Sequence, residues 1–213
     1  MDHTSHSDQR FTIEPGLPAE HRKSAAAGYW EAFSRKLRYP LGPAPKALAF
    51  IEAVLDPSHA ISAVSRSNTL LGVAGFKTAE GAFVGGGFSD MVKIYGHLGG
   101  TARGLLISVL ERECEADTLL MDGIFVQCDA RGLGIGTSLL SAIEDHAVSC
   151  GLKRIRLDVI DSNPRARALY ERRGFMETSR TSTGALRPVF GFRTATTMIK
   201  AVGDPERTCA ATA

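Results

Sequence analysis

The stretch from Thr118 to Ile160 constrains this chain more than any other. A β-prone run through Leu120 to Val126 enters a glycine-rich turn, a helical run follows from about Gly134 to Cys150, and a second β-prone run spans Arg154 to Ile160. Strand, helix and strand in that order make a βαβ unit, whose crossover sets the two strands parallel in one sheet.

The flanking segments supply the rest of a mixed sheet. Phe11 to Ile13 reads as a short strand. After Pro18, Ala26, Tyr29, Trp30, Phe33 and Leu37 recur at helical spacing, and Pro40 is expected to stop that helix. A second helix should start near Pro45, carry Leu48, Ile51 and Leu55 on one face, and end at Asp56-Pro57. Ala60 to Arg66 and Leu70 to Thr78, joined by Ser67-Asn68-Thr69, predict an antiparallel hairpin. Glu80 to Phe88 reads as a glycine-rich loop, and a helix is expected from about Thr101 through Leu105, Leu106, Val109 and Leu110 into Glu111-Arg112-Glu113. A further helix should run from Pro164 to Arg173 with Gly174 as its cap, before β-rich runs at Phe175 to Thr181 and Phe190 to Lys200. The expected architecture is α/β (α+β): a mixed central sheet flanked by helices, in one domain over residues 11–202. Residues 1–10 and 203–213 lack periodicity and read as flexible tails.

Composition narrows the function. Against 25 basic residues stand 23 acidic ones, so the net charge of +2 favours neither nucleic acid nor an anionic membrane. Cys114, Cys128, Cys150 and Cys209 form no C-x-x-C pair, and the six histidines form no H-E-x-x-H cluster, so neither a metal site nor a disulfide framework is expected. The N-terminus has no apolar core, and no run of 18 apolar residues occurs, so the expected location is cytoplasmic.

Within the βαβ unit, the turn Arg131-Gly132-Leu133-Gly134-Ile135-Gly136-Thr137 opens a helix. A helix N-terminus presents unpaired N–H groups and the positive end of a dipole, and glycine lets the backbone approach an anion at φ > 0. The turn can therefore cradle a phosphate, with Arg131 adding a charge-assisted contact. A tight packing turn without a ligand is the competing reading. A P-loop fails because no Lys follows Gly136, and the glycine spacing does not fit a dinucleotide fingerprint.

Arg131-x-x-Gly134-x-Gly136 resembles the R/Q-x-x-G-x-G/A motif of the GNAT superfamily of acetyl-CoA-dependent N-acetyltransferases, with Val126 at the usual apolar strand end. Asn163-x-x-Ala166-x-x-Leu169-Tyr170, followed by Gly174-Phe175, is similar to a second segment of that family. The resemblance covers about Leu119 to Phe175. It implies a GNAT-like acyl-CoA N-acyltransferase fold and acetyl-CoA as co-substrate. It also implies that amides from Gly132 to Thr137 hold the pyrophosphate: Gly132, Leu133, Gly134, Ile135, Gly136 and Thr137. The Ile124, Phe125 and Val126 backbone would pair with the pantetheine arm, and an N–H near Ile124 would polarise the acetyl carbonyl.

Tyr170 matches the family's proton donor to the leaving thiolate, the competing reading being a core tyrosine. Asn163 would fix the cofactor arm or cap its helix. For the base that deprotonates the amine, Asp158 comes first, opposite Ile155, Leu157 and Val159 in strand alternation, and Asp122 second; a structural ion pair competes with either. The expected reaction is transfer from acetyl-CoA to a primary amine, of a small molecule before a protein N-terminus or lysine. A non-catalytic acyl-CoA-binding module is the alternative from another class. No nucleic acid or membrane partner is expected, and a homodimer is left open.

The sequence departs from the family between the third and fourth strands, where about forty residues, Ala79 to Thr118, stand in place of a short hairpin. A substrate lid and a packed insertion are both compatible with this segment. Tyr29, Trp30, Phe33 and the Thr181 to Phe190 segment are candidate walls for the acceptor.

Overall fold

A computed structural model describes residues 10–108, 114–184 and 187–203. The expected tails lie outside these residues except at their inner ends, as do Val109, Leu110 and the charged run Glu111-Arg112-Glu113. Seven strands form one sheet: β1 (Phe11–Pro15), β2 (Ala60–Ser65), β3 (Leu70–Lys77), β4 (Thr118–Val126), β5 (Arg154–Ile160), β6 (Met176–Ser182) and β7 (Thr194–Ala201). Their spatial order is β1-β2-β3-β4-β5-β7-β6, antiparallel everywhere except for the parallel β4–β5 pair. This is the mixed sheet that the sequence predicts.

Helices cover both faces. The helix α4 (Ile135–Ser149) lays Leu139, Leu140, Ile143 and Ala147 on Phe76, Leu119, Met121, Ile155 and Leu157. Each such fully buried Leu or Ile contributes about 2 kcal/mol by leaving water. On the other face, α1 (Arg22–Leu41), α2 (Ala44–Val54) and the kinked α3 (Phe88–Ser108) enclose Val73, Phe83 and Phe125. The remaining helices are α5 (Pro164–Arg172), which follows β5, and a single turn α6 (Arg187–Phe190).

Two expectations need correction here. Pro40 does not stop α1 but sits in its last turn; the helix runs on to Leu41 and ends where the Gly42 N–H donates to the Arg38 carbonyl (2.8 Å). A proline disturbs the helix on its N-terminal side, so near the C-terminus little helix is left for it to break. The helix placed near Thr101 already begins at Phe88. The Asp90 side chain accepts from the Gly87 N–H (3.1 Å), half of a capping box, and the helix bends at Gly96, which has φ 75°. Glycines at 96, 99 and 100 interrupt the apolar period, so only the second half is legible in the sequence. In space the first half is anchored by Tyr95, whose ring lies 6.3 Å from that of Phe50 on α2.

Candidate active site

Two features of β4 create the site. The parallel pairing with β5 runs only from Thr118 to Leu120, opposite Arg154 to Arg156. Beyond it β4 stays with β3 as far as Val126 and β5 stays with β7, so the two strands part like an open fork. The β3–β4 register also shifts: Gly75 faces Gly123 and Phe76 faces Met121, leaving Asp122 as an extra residue in β4. A bulge of this kind re-aims a side chain out of strand alternation.

A cavity of about 550 Å³ opens at the far end of β4. Its walls are Ile124, Phe125 and Val126 of β4, the turn 130–137 apart from Leu133, Gly28 and Glu31 of α1, and Asn163, Ala166 and Leu169 at α5. The ring of Phe125 is buried and seated on Gly28. Gly132 and Gly134 have φ of 85° and 80°, and a Cβ added at either meets no heavy atom within 4 Å. The turn thus takes a left-handed shape that leaves a cradle beneath the start of α4, where the first N–H groups of a helix lack intrahelical partners. The Thr137 amide is different: its N–H already donates to the Gly134 carbonyl (3.0 Å), so the exposed donors precede it. Leu133 is exposed and its side chain stands outside the cavity wall. Arg131 donates through Nε to the Val126 carbonyl (3.3 Å), tying the turn to the strand end. Arg165 and Arg172 also line this cavity and add positive charge; the motif search missed them because they lie at variable positions of the Asn163 segment. Asn163 caps α5, its Oδ1 accepting from the Ala166 N–H (3.2 Å), and lines the cavity as well.

A second cavity of about 440 Å³ abuts the near end of β4. Leu37 and Leu41 of α1, Phe50 of α2 and residues 78–86 of the long β3–β4 connection, apart from Phe83, enclose it, with Asp122 and Asp158 in its wall. Of the expected acceptor walls, Tyr29 is here. Phe33 packs over Gly123 instead, and Trp30 belongs to the core around α1. Among the described residues of the Thr181 to Phe190 segment none reaches this cavity, and Phe190 packs with Phe192 and Ala195. The described residues of the final hairpin pair with β5 through β7, and none of them lines this cavity.

The two carboxylates differ. Asp122 accepts the Val84 N–H on Oδ2 (3.2 Å), and burial pushes its carboxyl above the usual carboxylate range, against the downward pull of that amide and of Lys36, Lys77 and His59. Asp158 projects from the β5 face opposite Ile155, Leu157 and Val159, and its Oδ1 accepts from the Thr197 hydroxyl (2.6 Å). Tyr170 lies in the α4-side core beside Phe175, at 5.9 Å between ring centroids, and lines neither cavity; burial pushes its phenol well up. Among the described residues no group of three or more His, Cys, Asp or Glu side chains is placed to hold a metal, and no helix is long and apolar enough to cross a membrane.

The same fold recurs in known proteins. A family model for the acetyltransferase (GNAT) family matches residues 26–175. A GCN5-related N-acetyltransferase from Kribbella flavida superposes with a TM-score of 0.63 at 17% identity, over 92% of this chain and 100% of that one. An N-acetyltransferase from Staphylococcus aureus Mu50 gives 0.61 at 15% identity, over 89% and 100%. The ribosomal-protein-S18-alanine N-acetyltransferase from Escherichia coli gives 0.54 at 17% identity, over 91% and 95%. No curated sequence matches at a significant level. With the family model covering well over half of the chain, the chain belongs to the GNAT acetyltransferase family.

Proposed function

We propose that this protein is an N-acetyltransferase that moves the acetyl group of acetyl-CoA to a primary amine of a small molecule, by direct attack in a ternary complex. The observation that carries the reading is the meeting of two cavities along one strand. Ile124 lines the first and Asp122 the second, two residues apart, which is about 7 Å of strand. Main-chain N–H groups from 132 to 136, with Arg131, Arg165 and Arg172, would hold the diphosphate and phosphate of coenzyme A. The thioester supplies an activated acyl group. A β4 N–H near Ile124, freed by the fork, would stabilise negative charge as it grows on the acetyl oxygen.

An amine must lose a proton to attack, and Asp122 is the proposed base. Its carboxyl is half-buried beside the acceptor cavity, and desolvation raises its affinity for a proton. Asp158, in the same wall, is proposed to orient the ammonium group. The apolar side chains Leu37, Leu41, Phe50 and Val84 suit an amine on a hydrophobic body. A cavity capped by residues 78–86 suits a small molecule better than a peptide chain.

Tyr170 is the proposed acid for the departing thiolate on the strength of the family motif, while its ring lies in the α4-side core and lines neither cavity. Burial keeps the phenol protonated at neutral pH but makes it a weaker donor than a free tyrosine, so substitution decides its role. Removing the hydroxyl in Tyr170→Phe is expected to lower kcat about a hundredfold with the acetyl-CoA affinity unchanged; normal turnover in that variant takes the residue out of the acid role. The overall reading is tested by following thiol release from acetyl-CoA across a panel of primary amines. Turnover with an apolar amine supports it, and silence with every amine while coenzyme A binds leaves a binding module.

A further inference from the structure

A buried histidine outside the chemistry carries a further step, which rests on the second cavity being the acceptor site. His59 follows α2 in the short turn Pro57–His59, is 9% exposed, and packs against Phe76 at 5.5 Å between rings. Its Nδ1 lies 2.9 Å from Asp56 Oδ2 and 3.1 Å from Ser58 Oγ, while Nε2 lies 3.3 Å from Thr78 Oγ1. The Ser58 hydroxyl beside Asp56 holds that carboxyl below its usual range, so an ionised acceptor faces Nδ1 and the ring turns Nε2 toward Thr78.

Thr78 begins the flap of the acceptor cavity. Its Oγ1 accepts the Glu80 N–H (3.2 Å) and its own N–H donates to the Gly81 carbonyl (2.9 Å), folding residues 78–81 into a tight turn. Gly81 rests directly on the imidazole: a Cβ there stands 2.6 Å from His59 Cε1. Downstream, the Asp56 N–H donates to the Phe83 carbonyl (2.9 Å), and Val84 reaches Asp122. The flap is thus pinned at both ends to the Asp56–His59 turn, and the ring sets its height.

We infer that His59, oriented by Asp56, is a specificity-determining positioning residue: it props the 78–81 turn over the acceptor cavity and so sets how long an amine the cavity admits. A bland core histidine satisfied by three polar neighbours predicts no such coupling between ring, flap and substrate length.

The test is a double-mutant cycle read with straight-chain primary alkylamines from propylamine to octylamine. Gly81→Ala adds a methyl that meets the ring and displaces the flap, which should shift the kcat/KM ratio of hexylamine over propylamine about fivefold. In His59→Ala the methyl has room, so adding Gly81→Ala there should move the ratio less than about twofold, and acetyl-CoA KM should stay unchanged throughout. Amide exchange gives an activity-free reading: in His59→Ala the amides of Glu80, Phe83 and Val84 should exchange about tenfold faster, those of Leu119 and Leu157 at the wild-type rate. His59→Gln, able to bond Thr78, should restore both; if His59→Ala does not fold, that variant and Gly81→Ala complete the comparison. Additive effects of the two substitutions, or an unmoved length ratio, overturn the inference while wild-type turnover keeps the acceptor reading. No alkylamine turnover in the wild type overturns the inference, and with the broader amine panel also silent the acceptor reading falls too.

Discussion

Replacing Asp122 by Asn is expected to lower kcat for amine acetylation between about a hundredfold and ten-thousandfold, the range a general base supplies, while leaving the acetyl-CoA dissociation constant unchanged. The carboxylate form is the working form, so wild-type activity should fall as the pH drops through the raised value of this desolvated group. That acid limb should lie above the ordinary carboxylate range and disappear in the variant. Stability should move the other way. A carboxyl whose folded-state pKa is raised binds its proton more tightly folded than unfolded. Unfolding free energy therefore falls as pH rises from the ordinary 3.8 through the raised value, and stays lower above it. Asn keeps an oxygen for the Val84 N–H and carries no charge into the interior. The variant should thus melt at a higher temperature than wild type at pH 7, with the gap closing below pH 3.8. A variant that retains kcat within about threefold removes Asp122 as the base, and parallel measurements on Asp158→Asn then decide whether the other carboxylate serves.

Gly134→Asp should abolish useful acetyl-CoA binding. Asp is among the few side chains that tolerate the left-handed conformation Gly134 holds, and open space surrounds the new Cβ, so the fold should survive. The carboxylate then occupies the cradle proposed for the diphosphate. Juxtaposed like charges cost several kcal/mol, so calorimetry should record a dissociation constant more than about a hundredfold higher. Gly134→Ala, which adds only backbone strain of about 1–2 kcal/mol and no charge, should weaken binding less. Raising the ionic strength should recover part of the loss in the aspartate variant and none in the alanine one. Equal effects from both would mean that shape, and not anion binding, is the purpose of the turn.

The βαβ unit and its glycine turn were legible because they are local. Apolar runs of the right length, a glycine wherever φ turns positive, and Asn163 in a capping position each act over a few residues, and β5 keeps its expected bounds from Arg154 to Ile160. The surroundings of the two aspartates were not legible. Alternation puts Asp158 opposite Ile155, Leu157 and Val159, as the structure has it, but the Thr197 hydroxyl that engages it comes from β7, almost forty residues away in the chain. Asp122 owes its place to a bulge created by a register shift against Gly75, and its raised proton affinity to desolvation in the assembled fold, which outweighs the downward pull of the Val84 N–H from the β3–β4 connection. Long-range pairing of this kind leaves no periodic trace. The start of α3 was hidden for a related reason: glycines at 96, 99 and 100 erase the apolar period, and tertiary packing of Tyr95 on Phe50 supplies what local propensity does not.

By itself, then, the amino-acid order determined that a phosphate-sized cradle opens a helix between two parallel strands, because turn geometry and helix ends are decided by neighbouring residues. What stands two residues from that cleft along β4, namely which carboxylate is stripped of water and which loop walls the neighbouring cavity, was decided only when strands and helices from distant parts of the chain met. Desolvation belongs to the assembled interior, and no short segment carries it alone.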